Sequence, residues 1–138
     1  RVAVMEAGRL LQIGSPEEIY LLPATPRVAD LIGEGQLVPC RVNGGLFESA
    51  FGSGRCDVAE GDGDLFLRPE DLELLPDGAG EGVSGTIVGR RFYGHDVLDR
   101  VRLAGGEEAE VRSLSSAVFP VESPVLIALR ERLFRVFQ

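Results

Sequence analysis

The most informative part of this 138-residue chain covers residues 14–23, which read Gly14-Ser15-Pro16-Glu17-Glu18-Ile19-Tyr20-Leu21-Leu22-Pro23. Ser15 occupies a helix N-cap position, Pro16 follows at the first helical position, and two glutamates fill the first turn. Pro23 ends the run. So short a helix falls well below the ~12–15 residues at which an isolated helix becomes marginally stable in water, so it must pack against a neighbour.

A second short helix is predicted over Pro26–Ile32. Val28, Leu31 and Ile32 share one face at helical spacing, and Gly33 ends the segment. Both segments are therefore predicted to be surface helices that bury an apolar face against another part of the protein.

The charge balance excludes several classes of partner. All 14 basic residues are arginine and the net charge is −8, which argues against a nucleic-acid or anionic-membrane surface, because those need clustered positive charge.

Cys40 and Cys56 lack metal-ligand spacing and are predicted to be buried free thiols rather than a disulfide. No apolar run approaches ~18 residues, so we expect a soluble, cytoplasmic chain. It begins with Arg1 instead of methionine, as a piece of a longer protein would.

From residue 36 onwards, short β-type runs alternate with glycine-rich turns, which is typical of a small barrel or sandwich. Leu37–Val42 and Leu46–Phe51 flank Asn43-Gly44-Gly45, whose residues tolerate the positive φ of a tight hairpin turn. Pro39 predicts that the first of these strands lies at a sheet edge. Gly52–Gly63 is polar and glycine-rich, so it is predicted to be a mobile loop with at most one short strand near Cys56.

The segment Pro76–Gly82 is predicted to be a hinge between two halves, residues 35–76 and 83–138. The second half holds a long β run, Val83–Tyr93, and then a hairpin of Val97–Leu103 with Ala109–Ser113, whose facing arginines and glutamates predict a solvated face. Each half places a Gly-Gly hairpin before a Leu-Arg strand end and a closing apolar strand. The likeness favours a doubled β architecture.

The N-terminal pattern also resembles a known family. A hairpin of Val2–Met5 and Arg9–Gly14, followed by Ser15–Tyr20 and Pro23-Ala24, resembles the end of the nucleotide-binding domain in the ATP-binding subunits of ABC importers. The resemblance implies that residues 1–34 are the tail of that domain. Residues 35–138 would then form a mainly β, OB-like regulatory domain of the TOBE type, built from two similar halves.

The resemblance also implies a function. Leu67–Asp71 and Phe92–Asp96 are most similar to the ferric-iron importers, which implies a regulatory and dimerisation role in iron uptake. The implied partners are a second copy of the subunit and transmembrane permease subunits, reached through the ATPase domain on the inner face of the membrane. ATP and Mg²⁺ belong to the parent chain. This chain lacks the G-x-x-x-x-G-K-[ST] phosphate loop and the signature and Walker B motifs, so we predict no catalytic residues and no cofactor here.

The best candidate for a ligand site is the turn Phe92–Asp96. Gly94 lets the backbone bend, and the imidazole of His95 beside a carboxylate can hold a proton or a cation. A structural His–Asp hydrogen bond is favoured over a ligand role. Two neighbouring arginines can receive an anion or lie in solvent. A ferric ion needs several oxygen ligands, and no spacing gathers them, so no metal site is predicted. The candidate effector residues are Arg90, Arg91, Tyr93, His95 and Asp96.

The second candidate is the corner Arg68-Pro69-Glu70-Asp71. Pro69 begins a short turn, two acidic residues follow it, and Arg68 can pair with a carboxylate. A structural role is favoured over effector binding.

Two other functions stay open for the chain as a whole: a small-ligand barrel that senses oxoanions or metals, and an OB-type nucleic-acid binder. The second needs a basic groove with stacking aromatic residues, which the negative charge disfavours.

Overall fold

The computed structural model describes residues 1–138. The N-terminal unit, residues 1–34, consists of a hairpin and two helices: β1 (Val2–Glu6), β2 (Arg9–Gly14), α1 (Pro16–Leu21) and α2 (Pro26–Ile32). Glu18 N donates to Ser15 Oγ at 3.1 Å and Ser15 N donates to the Glu18 carboxylate at 2.9 Å, so the N-cap is a reciprocal capping box. The hairpin and both helices are confirmed. Neither helix is long or apolar enough to cross a membrane.

The N-terminal unit has very little interior of its own. Only Val4, Ile19 and Val28 form its buried apolar cluster, with Leu11 and Ile32 packed partly against it. Seven other large apolar residues are exposed: Val2, Met5, Leu10, Ile13, Leu21, Leu22 and Leu31. So small a cluster buries too little apolar surface to offset the conformational entropy of 34 ordered residues, so the unit depends on neighbouring structure.

The rest of the chain, called the β unit here, is mainly β. Its elements are β3 (Gln36–Asn43), β4 (Leu46–Ser49), β5 (Gly52–Cys56), β6 (Gly61–Leu67), a 3₁₀ turn (Pro69–Asp71), β7 (Leu72–Pro76), β8 (Val83–Phe92), β9 (Asp96–Leu103), β10 (Glu108–Leu114), β11 (Pro124–Leu129), β12 (Leu133–Phe134) and β13 (Val136–Phe137). They form a six-stranded sheet, β12-β5-β4-β3-β6-β13, and a five-stranded sheet, β10-β9-β8-β11-β7. The mainly β, barrel-like OB-type fold is confirmed.

Each half of the β unit contributes strands to the sheet of the other. β7 comes from the first half but lies at the edge of the five-stranded sheet, whereas β12 and β13 come from the second half and flank the six-stranded sheet. One cluster of 18 buried residues draws on both sheets. Within it the rings of Phe47 and Phe134 stack edge to face at 5.4 Å between centroids. The two halves therefore share a single core.

The predicted loop over Gly52–Gly63 is wrong for most of its length, although the short strand near Cys56 is confirmed and residues 57–60 belong to no strand. β5 covers Gly52–Cys56 and β6 begins at Gly61. The glycines serve close packing: a Cβ at Gly54 would lie 2.7 Å from the Phe47 ring, and one at Gly63 would lie 2.7 Å from Val136 Cγ1. Composition suggested a flexible loop, but glycine inside a strand also marks the close approach of a neighbour.

The predicted edge position of Pro39 is also wrong for the strand as a whole, because β3 pairs with both β4 and β6. Its pairing with β4 begins only at Cys40, opposite Ser49. Pro39 therefore lies just beyond the end of β4, where its missing N–H removes no pairing with that strand.

The second hairpin follows its predicted pattern. Val101, Leu103, Ala109 and Val111 are buried, while Arg102 faces Glu108 across the strands with 2.6 Å between Nη2 and a carboxylate oxygen. The cysteines Cys40 and Cys56 are buried free thiols, as predicted.

Candidate functional site

The residues of the first candidate site flank the turn between β8 and β9. Arg90 and Arg91 stand near the end of β8, and Asp96 begins β9. Tyr93 N donates to Asp96 O at 2.9 Å, and Gly94 has a φ of 92°, in the region that favours glycine. The sequence therefore placed these residues together along the chain, and the turn keeps them at one end of the five-stranded sheet.

Arg90 points away from the other candidate residues. Its Nε lies 2.6 Å from Oδ1 of Asp99, a fully buried carboxylate, and its Nη2 also donates to the carbonyl of Phe119. Removing one partner of a buried ion pair strongly destabilises the folded protein, because the remaining charge is left buried without an opposite charge. Arg90 thus holds the segment before β11 against the sheet and is not available to an anion.

The other charged groups form a network on the outer face. Arg91 Nη2 lies 2.6 Å from a Glu110 carboxylate oxygen, and Arg112 Nη1 lies 2.8 Å from Asp96 Oδ2. The ring of Tyr93 has the Arg91 guanidinium 5.9 Å and the Arg112 guanidinium 6.0 Å from its centroid. Arg112 was missing from the predicted site. Arg112, on β10, pairs with Leu98 of β9, two residues beyond Asp96, and this diagonal position follows only from the strand register.

His95 stands apart from this network. Its side chain is exposed and makes no hydrogen bond, while its backbone carbonyl accepts one from Ser115 N at 2.9 Å. Asp96 is held by Arg112 and not by the imidazole. The arrangement brings Arg91, Tyr93 and Asp96 together through Arg112, and each of these guanidinium groups already has a carboxylate partner. No group of three or more potential metal ligands is present.

The Asp96–Arg112 pair gives a prediction on titration. The hydrogen bond from Arg112 lowers the pKa of Asp96, and the positive charge at His95 acts in the same direction. Because the pKa of Asp96 is lower in the folded state than in the unfolded state, the pair stabilises the fold at pH values above the unfolded-state pKa. This stabilisation is lost as the pH falls through the folded-state pKa. Arg112→Gln is therefore expected to raise the pKa of Asp96 towards its ordinary value of about 3.9, as measured by carbon-13 NMR titration.

Arg91→Gln is the matched control, because it removes a neighbouring arginine that does not contact Asp96. It is expected to change the Asp96 titration much less than Arg112→Gln does. Titration of Asp96 at its ordinary value in the unmodified chain would contradict the pairing.

The second candidate, the corner Arg68–Asp71, lies where β6 turns into β7 beside the N-terminal unit. Arg68 is 2% exposed. Its guanidinium lies between two rings, 4.0 Å from the centroid of Tyr20 and 4.7 Å from that of Phe66. It donates to the carbonyls of Tyr20 at 3.2 Å and Glu34 at 3.1 Å. Burial lowers the pKa of Arg68, but an arginine stays charged in proteins.

The acidic residues of the corner fix its shape and its neighbours. One carboxylate oxygen of Asp71 accepts from Arg68 N at 2.8 Å, and the other accepts from Arg132 Nη1 at 2.7 Å. The carboxylate of Glu70 accepts from the hydroxyl of Tyr20, and burial together with this contact raises the pKa of Tyr20 to about 12. Arg68, Glu70 and Asp71 therefore all reach across to the N-terminal unit or to the residues that hold it.

The architecture defines a class: a β domain of OB-like sheets with an N-terminal hairpin and helical appendage. Residues 65–137 match the family described as the TOBE domain. The chain belongs to this family. The match omits β3, β4 and β5, which complete the six-stranded sheet.

Individual relatives cover more of the chain than the family match does. It is 37% identical over 142 residues to a sulfate/thiosulfate import ATP-binding protein of Brucella melitensis, covering 100% of this chain and 39% of that protein. It is 43% identical over 109 residues to an Fe(3+) ions import ATP-binding protein of Rhodococcus jostii, covering 75% of this chain and 30% of the relative. A spermidine/putrescine import ATP-binding protein of Borreliella afzelii is 42% identical over 99 residues, with coverages of 68% and 28%.

The chain thus spans about two fifths or less of the length of these relatives. The resemblance to the C-terminal, TOBE-bearing portion of ABC importer ATP-binding subunits is confirmed.

Proposed function

We propose that this chain is the regulatory and dimerisation portion of the ATP-binding subunit of an ABC importer. The observation that carries the proposal is the N-terminal unit: a capped hairpin and helix pair with a three-residue buried cluster and an exposed apolar surface, held against a TOBE domain. Such a unit fits the margin of a larger domain. The length of the relatives, more than twice that of this chain, supports a domain on that side.

In the proposed mechanism the β unit acts mechanically. Contact between the β units of two copies keeps two ATP-binding domains facing each other while they close on ATP and open after hydrolysis. ATP and Mg²⁺ are bound by the other domain, and this chain contributes no catalytic residue. The subunit would lie on the inner face of the cell membrane, where its ATP-binding domain contacts permease subunits.

We propose ferric iron as the transported solute. Three Fe(3+) relatives from Rhodococcus jostii are 41–43% identical over at least 75% of this chain, whereas the spermidine/putrescine relative is 42% identical over 68% of it and the sulfate/thiosulfate relative is 37% identical over all of it. The test is uptake of radioactive ferric iron, sulfate and spermidine by cells that depend on the full-length subunit. Iron uptake alone is expected. Sulfate or spermidine uptake without iron uptake would overturn the assignment.

Self-association gives a prediction on the isolated chain. Phe92 is 72% exposed and Leu114 is 62% exposed at the same end of the five-stranded sheet, and we propose that they contribute to the contact between copies. Analytical ultracentrifugation at high micromolar concentration is expected to show a dimer, and Phe92→Ser with Leu114→Ser is expected to shift the equilibrium at least tenfold towards monomer. The matched control is Met5→Ser, an exposed apolar residue on the N-terminal unit. A strict monomer would contradict the proposal.

The ligand-sensing alternative has no observation in its favour, because Arg90, Arg91 and Arg112 are all engaged by carboxylates. Calorimetry with ferric citrate, molybdate, sulfate and phosphate is expected to give no binding heat. Saturable heat with any of them would favour a sensing module instead.

A further inference from the structure

The two units of the chain are joined by Gly33-Glu34-Gly35, a sequence typical of a flexible hinge. The structure gives both glycines a different role. A Cβ at Gly33 would lie 2.9 Å from Arg68 Nη1, and one at Gly35 would lie 2.3 Å from Cζ of Phe66. Gly33 has a φ of 167°, an extended conformation open to any residue. Glycine is therefore needed because side chains of the β unit press against the backbone here.

Three arginines of the β unit reach the backbone of the N-terminal unit. In addition to the two bonds from Arg68, Arg132 Nη2 donates to a carbonyl at 3.1 Å, and Arg135 donates to two, through Nε at 2.8 Å and Nη2 at 3.3 Å. The five carbonyls that accept these bonds belong to Tyr20, Leu21, Pro23, Ala24 and Glu34.

These contacts supply what helix α1 lacks. The last carbonyls of a helix have no partner within it, and they carry the negative end of its dipole. α1 has no basic residue in its last turn. Arg68 and Arg132 donate to Tyr20 and Leu21, the two residues that end the helix, so cationic groups from the β unit take the place of a local C-terminal partner.

The arginines are themselves held in place. Arg68 is enclosed by two aromatic rings, and Arg132 is fixed by the buried carboxylate of Asp71. The guanidinium of Arg135 lies 4.8 Å from the ring centroid of Phe137. Because a planar guanidinium on a fixed support loses little freedom when it bonds, contacts of this kind define an orientation as well as an attachment.

We propose that Arg68, Arg132 and Arg135, called the arginine joint here, lock the N-terminal unit to the β unit as one rigid body with no hinge at residues 33–35. The consequence of the arginine joint for transport rests on the proposed function. A movement of the ATP-binding domain would carry the β unit with it. A change of angle between two subunits would therefore occur at the contact between their β units.

The test is a distance distribution measured by pulsed electron paramagnetic resonance on this chain. Spin labels are attached at Met5→Cys and Glu48→Cys, which are exposed on the two units, with Cys40 and Cys56 replaced by alanine, and the labelled chain is diluted with unlabelled chain so that distances within one molecule are measured. A single narrow distribution is expected. Arg132→Gln with Arg135→Gln is expected to at least double its width, and Gly35→Ala to broaden or shift it. Arg55→Gln, which alters an exposed arginine without a hydrogen-bond partner, is the control and should leave it unchanged.

A broad distribution in the unsubstituted joint, or an unchanged width in the Arg132→Gln and Arg135→Gln variant, would overturn the proposal. If circular dichroism shows that the double variant does not fold, the single variant Arg135→Gln is measured instead. It is expected to broaden the distance distribution by a smaller amount. The measurement needs neither ATP nor a permease. Its failure would therefore leave the proposed function standing, and failure of the uptake assay would leave the joint standing.

Discussion

Replacing Arg68 by alanine is expected to lower the free energy of unfolding by about 3 kcal/mol, among the larger effects of a single substitution. The variant removes two part-buried hydrogen bonds, to the carbonyls of Tyr20 and Glu34, and a hydrogen bond from a charged donor contributes about 1.5–3 kcal/mol. It also removes the stacking of the guanidinium between Tyr20 and Phe66, worth about 0.5–2 kcal/mol per contact. Urea unfolding followed by circular dichroism measures the change.

Two comparisons make this result specific. Arg68→Lys keeps the charge but cannot reach two carbonyls with one planar fork, so it is expected to lose about 2 kcal/mol. Arg41→Ala removes an exposed arginine paired with Asp62 at 3.0 Å, and surface pairs contribute about 0–1 kcal/mol. If Arg68→Ala lost no more than Arg41→Ala, the assigned role of the buried guanidinium would be wrong.

Replacing Phe47 by alanine is expected to lower the free energy of unfolding by about 3–5 kcal/mol, the usual range for removing a buried aromatic ring. Phe47 is fully buried, its ring stacks on Phe134, and Gly54 leaves room for it. Because Phe47 comes from the first half and Phe134 from the second, the whole β unit is expected to unfold in one transition at a lower urea concentration. The matched control is Leu46→Ala, since that side chain, next to Phe47 on β4, is 53% exposed.

The outcome that separates one core from two is the number of transitions. Coincident loss of circular dichroism and of native tyrosine fluorescence is expected for the unmodified chain and for Phe47→Ala. A variant that lost only the six-stranded sheet and kept a separate transition for the five-stranded sheet would show that the halves fold independently, contrary to the shared cluster of 18 residues.

Much of the fold was predictable because its signals are local. The cap at Ser15, the proline that follows it and the glycine turn at residues 44 and 45 act within four residues along the chain. The alternation on β9 and β10 identified which side chains face the core. Glycine misled over Gly52–Gly63, because its presence in β5 and β6 reflects close neighbours and not mobility.

The position of each candidate site along the chain was predictable, but the spatial arrangement of its side chains was not. Arg90 and Arg91 are adjacent in sequence, yet Arg90 pairs with buried Asp99 while Arg91 joins the outer network with Glu110. Neighbouring residues on a strand point to opposite faces, so adjacency in sequence separates them in space. Arg112 enters the network from another strand, and only the register between β9 and β10 places it beside Asp96.

The capped helices, the β character of the remainder and the resemblance to importer subunits can be predicted from the sequence, because each depends on residues that lie close together along the chain. The exchange of strands around one core, and the hydrogen bond from Arg132 to the carbonyl of Leu21, 111 residues away, are seen only in the folded structure. The residues around an arginine do not indicate its partner, because the carbonyl that its guanidinium meets depends on how two units distant in sequence pack together.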